Sequence, residues 1–91
     1  MRIRWIPAAA ADLQHISDYL KEHHPQYREL TVRKNYSAIQ SLKEWPNRSR
    51  AGREQGTREL SFPPLPSIAV YRVKEQDIEV LSVWHGAQER A

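Results

Sequence analysis

A chain of 91 residues, 40% hydrophobic and with a formal net charge of +3, makes one small domain spanning residues 1–91, which buries only about 60% of the surface its unfolded form exposes. It contains no cysteine, which excludes disulfides, thiolate catalysis and cysteine-ligated metal, and its four histidines show no HxxxH or HExxH spacing, so no metal and no cofactor is expected. No apolar run approaches the ~20 residues of a membrane span, and Met1 to Pro7 lacks the features of a signal peptide, so a cytoplasmic chain with no membrane partner is expected.

Arg2, Ile3, Arg4, Trp5 and Ile6 alternate and predict a first strand. Pro7 then stands where a first helical turn tolerates it, because the missing N–H has no partner there anyway. Ala9, Leu13, Ile16, Tyr19 and Leu20 recur at helical spacing, and Pro25 ends that helix near His23 and His24. A second helix begins around Gln26, with Val32, Tyr36, Ile39 and Leu42 forming its apolar stripe, and Trp45-Pro46 closes it. The short turn between them predicts a helical hairpin whose apolar faces cover a sheet.

Asn47 to Gly56 reads as a loop by composition, and Thr57 to Phe62 as a strand. Pro63-Pro64-Leu65-Pro66 forbids a ladder and reads as a connection. Ser67 to Val73 and Ile78 to His85 are rich in β-branched and aromatic residues and predict a hairpin. Pairing Val73 with Ile78 puts Arg72 opposite Glu79, Val70 opposite Leu81 and Ile68 opposite Val83. By parity, His85 then shares a face with Arg72. The expected class is α+β, in the order β-α-α-β-β-β, with a helical hairpin on a curved antiparallel sheet.

Positive charge concentrates between residues 47 and 58, where Arg48, Arg50, Arg53 and Arg58 face only Glu54. Such a patch suits an anionic or acidic partner, or simply solvates a loop. Arg48, Arg50 and Arg53 are the candidates for binding a target or partner protein. Arg58, Arg72 and His85 are the candidates for phosphodiester chemistry. A guanidinium binds phosphate through planar paired donors, and an imidazole titrating near neutrality can move a proton. Arg72 serves equally as a cross-strand partner of Glu79, and His85 as a strand-end histidine bonded to backbone. His15, His23 and His24 read as surface or helix-end residues, and Trp5, Trp45 and Trp84 as packing at core edges.

The ordered set Ala11-Asp12-Leu13, Ile39 to Pro46, Gly52-Arg53, Gly56-Thr57-Arg58-Glu59-Leu60, Val70-Tyr71-Arg72-Val73 and His85-Gly86-Ala87-Gln88 resembles the RelE/ParE family of bacterial toxins from type II toxin–antitoxin modules. The resemblance covers nearly the whole chain. It implies two helices on an antiparallel sheet, inhibition of growth, and neutralisation by a cognate antitoxin in a hetero-oligomer. It also implies one of two targets: DNA gyrase for ParE-like members, or ribosome-bound mRNA cut by RelE-like endoribonucleases. In the second case Arg58 and Arg72 lie near positions where such members place cations, and His85 near where some place a catalytic histidine. The chain lacks the lysine-rich segment before the second strand and the C-terminal aromatic residue that some ribonuclease members carry. Its Gly-Arg, Gly-Thr-Arg-Glu-Leu and His-Gly-Ala-Gln segments look more ParE-like, which favours gyrase inhibition. The alternatives are mRNA cleavage and a non-toxic partner in a repressor complex.

Overall fold

A computed structural model describes residues 1–61 and 67–86. Strand β1 (Arg2–Trp5) leads through Ile6 into helix α1 (Pro7–His23), and His24 alone separates it from helix α2 (Pro25–Gln40). A 3-10 turn (Ser41–Lys43) extends α2. Strands β2 (Arg50–Ala51), β3 (Arg58–Ser61), β4 (Ser67–Lys74) and β5 (Asp77–His85) follow. The predicted Pro63–Pro66 connection, the end of the second predicted strand at Phe62, and Ala87-Gln88 lie outside the described residues.

Both helices start at a proline, each preceded by a residue outside the helical region: Ile6 at φ −66°, ψ 142° and His24 at φ −146°, ψ 63°. A pre-proline residue is pushed out of the α basin, so Pro25 stops one helix while starting the next. The His24 N–H still donates to the Leu20 carbonyl at 2.8 Å, closing the last turn of α1. Helix α1 lays Ala9, Ile16 and Leu20 on the sheet, and they join Ile39, Leu42, Leu60, Ala69, Tyr71, Ile78, Val80 and Val83 in one core.

Of the stripe expected on α2, Ile39 and Leu42 enter the core, but the preceding turns face differently. The buried positions of the helix are Thr31, Asn35 and Ile39, whereas Tyr36 is exposed and Val32 half-buried. Val32 and Tyr36 instead border a shallow groove with Trp5 and Leu13. Asn35 tolerates burial through its Nδ2 donating to the Thr31 carbonyl at 2.7 Å. No helix among the described residues is long and apolar enough to cross a membrane.

The sheet runs β1-β5-β4-β3-β2. The expected helical hairpin on an antiparallel sheet is present, with one refinement: β1 lies parallel to β5 while every other pair is antiparallel. The sequence also gave no sign of β2, because two residues carry too little pattern to read. Near the hairpin turn the expected register holds: Val73 faces Ile78 and Arg72 faces Glu79. A β-bulge then inserts Leu81, so Tyr71 faces Val80 but Val70 faces Ser82, Ile68 faces Trp84 and Ser67 faces His85. One extra residue exchanges the faces of everything beyond it. The expected Val70–Leu81 and Ile68–Val83 pairs are therefore absent, and His85 lies on the face opposite Arg72.

Candidate functional site on the open face of the sheet

One face of the sheet carries Leu60, Ala69, Tyr71, Ile78 and Val80 into the helices. Alternation assigns Arg4, Glu59, Val70, Arg72, Glu79, Ser82 and Trp84 to the other face, which no helix among the described residues covers. Two of these residues, Glu59 and Glu79, are 96% buried all the same, because arginine side chains and the loop 52–57 lie over them.

Glu59 organises that loop. Its Oε1 accepts from Arg50 Nη2 at 3.3 Å, across the β2–β3 register, and its Oε2 accepts the Arg53 N–H at 3.1 Å. The loop is then drawn tight. The Gly52 N–H donates to the Thr57 carbonyl at 2.9 Å, and a Cβ on Gly52 would lie 2.1 Å from Thr57 Oγ1. Gly56 takes φ +83°, a conformation open to glycine at no steric cost. The three loop arginines meet different ends. Arg50 pairs with Glu59, Arg48 donates to Ser41 Oγ at 2.9 Å, and the exposed Arg53 guanidinium has no carboxylate partner among the described residues.

Beneath the loop is a cleft of about 260 Å³, floored by Val70, Leu81 and Trp84, walled by Glu59 and rimmed by Arg53. Toward the β1 edge the same face carries charge pairs. Arg72 hydrogen-bonds Glu79, whose other oxygen lies 3.5 Å from Arg4 Nη1, and Arg2 grips Asp77 at 3.1 and 3.2 Å. The Arg72 hydrogen bond holds the Glu79 carboxyl below its ordinary range, and Arg2 does the same for Asp77.

Arg58 lies opposite Tyr71, on the helix-facing side. Its Nε reaches Ser49 Oγ at 3.0 Å, and its Nη2 reaches the Asn47 and Ser49 carbonyls at 3.0 and 2.7 Å. The Tyr71 hydroxyl donates to the Pro46 carbonyl at 2.7 Å, so the pair ties residues 46–49 to the sheet. His85 Nδ1 lies 3.2 Å from the buried Ser67 Oγ, and burial lowers the imidazole pKa. Arg58 and His85 thus share one face and Arg72 occupies the other. Tyr71 and Ser67, their respective neighbours on β4, are four residues apart, or ~13 Å along the strand. The three do not converge on one point.

A family model described as the ParE toxin of type II toxin–antitoxin systems, parDE, matches residues 3–90. The chain belongs to the ParE toxin family. In agreement, it is 35% identical over 88 residues to the Sinorhizobium fredii protein named "Putative toxin Y4kP", covering 97% of this chain and 91% of that one. A ParE fold is also seen in a chain from the chromosomal ParDE system of P. aeruginosa, 27% identical with a TM-score of 0.80 over 93% of this chain and 95% of that one. The RelBE2 toxin–antitoxin complex of Mycobacterium tuberculosis shares the fold at 21% identity and a TM-score of 0.64, over 96% and 92% of the two chains. Within this ParE chain, sequence reasoning overlooked Glu59 as the loop's organiser. Its nine-residue separation from Arg50 carries no motif, and only the β2–β3 pairing brings the two together.

Proposed function

We propose that this chain is a growth-inhibiting toxin that acts by binding DNA gyrase and is neutralised by a cognate antitoxin, with Arg48, Arg50 and Arg53 contributing to protein contacts. The observation that carries this reading is the ParE family match across residues 3–90, and the arrangement of the basic and titratable groups supports it. Cleavage of RNA through its 2′-hydroxyl needs a base, an acid and cations around a single phosphate. Here Arg58 is engaged with backbone carbonyls, Arg72 with Glu79, and His85 is displaced to the other face from Arg72. A binding mechanism needs no such convergence.

Expression of the chain without its antitoxin tests this. The expected outcome is growth arrest with a DNA-damage response and intact mRNA, retained in correctly folded His85→Ala and Arg72→Ala variants. Arrest with cleaved mRNA, abolished by His85→Ala, points instead to a RelE-like endoribonuclease. No arrest at all leaves a repressor-complex partner.

A further inference from the structure

We infer that the cleft beneath the 52–57 loop is a socket for the antitoxin, receiving an apolar side chain of an extended segment whose neighbouring carboxylate pairs with Arg53. This rests on the toxin–antitoxin reading and deepens it by naming the contact. The cleft is smaller than the ~300–1,000 Å³ of small-molecule pockets, a size that suits one or two side chains. Its floor of Val70, Leu81 and Trp84 is apolar. The β-bulge makes that floor, since Leu81 and Ser82 both line the cleft where a regular strand would offer one of them.

The socket stands ready-made. Glu59 holds the overhanging loop through Arg50 and the Arg53 N–H, so little ordering is left to oppose binding. Arg53 at the rim has its guanidinium turned to no carboxylate among the described residues, and a carboxylate offers it paired, charge-assisted bonds. A phosphate alone would meet Arg53 but leave the apolar floor of Val70, Leu81 and Trp84 uncovered. An apolar residue beside an acidic one satisfies both floor and rim.

The chain has no cysteine, so Ser82→Cys provides a unique reporter inside the cleft, and Ser37→Cys on exposed α2 a control. Each is labelled with N-ethylmaleimide, free and in complex with the product of the adjacent gene, and read by mass spectrometry of this chain. The expected result is at least tenfold slower labelling of Ser82→Cys in the complex. Independently, Arg53→Glu should weaken the complex at least tenfold, while the same charge change at Lys34 on exposed α2 should weaken it less than threefold. This second arm leaves the cleft floor untouched, so it stands even if Ser82→Cys folds poorly.

An intact complex in which Ser82→Cys labels at its free rate overturns the socket and leaves the toxin–antitoxin reading standing. Equal effects of Arg53→Glu and Lys34→Glu also overturn it. An adjacent product that fails to bind the wild-type chain removes both.

Discussion

Folding favours the deprotonated form of both Glu79 and His85, and both tie stability to pH. Arg72 holds the Glu79 carboxyl, and Arg2 the Asp77 carboxyl, below their ordinary values, so their stabilisation is complete above the unfolded pKa of about 4 and is lost as pH falls through the lowered, folded value. Burial lowers His85 from 6.5, so folding favours the neutral ring, and that contribution likewise fades as pH drops below about 6.5. Thermal melts from pH 8 to pH 3 should therefore show a decline in two stages. His85→Gln is expected to flatten the upper stage and Glu79→Gln the lower. A wild-type melting temperature that stays constant between pH 7 and pH 5 would contradict the role given to His85. The Arg72–Glu79 pair was legible in the sequence because a short turn fixes the register beside it. The surroundings of His85 were not, because no residue type announces the bulge at Leu81.

Among the elements, α1 and β5 are joined by a contact the apolar pattern does not mention. Beyond Trp5, strand β1 no longer covers the outer edge of β5, and there Asp12 Oδ2 accepts the Val83 N–H at 3.0 Å. Asp12 thus does for the exposed ladder what a neighbouring strand would do. Removing one partner of a buried hydrogen bond costs ~1–3 kcal/mol. Asp12→Ala should lower the urea unfolding free energy by about that amount, and a loss below about 0.5 kcal/mol would show that water replaces the carboxylate. Periodicity and proline placement located both helices and the four longer strands. They mislaid the buried face of α2, where Thr31 and Asn35 take the inner positions. Apolar spacing cannot reveal that face, because two of its inner residues are polar. The Asn35 Nδ2 donates to the Thr31 carbonyl, although Asn35 Oδ1 has no partner among the described residues.

At the scale of the molecule, the described helices cover one face of the sheet and leave the other open. That second face has a cleft with Arg53 at its rim at one end and, at the other, Arg2, Arg4 and Arg72 paired with Asp77 and Glu79. The candidates for phosphodiester chemistry are divided between two faces, Arg72 on one and Arg58 with His85 on the other. This division was hidden from the sequence, which showed arginines and a histidine on neighbouring strands but could not fix which side of the sheet each one met. The purified chain mixed with DNA gyrase and supercoiled plasmid puts the binding mechanism to its most direct test. Gyrase-dependent linear DNA is expected, undiminished when His85 or Arg72 is replaced by alanine in a folded chain. Gyrase left unaffected at saturating protein, with ribosome-bound mRNA cut by the wild type and spared by His85→Ala, would contradict it.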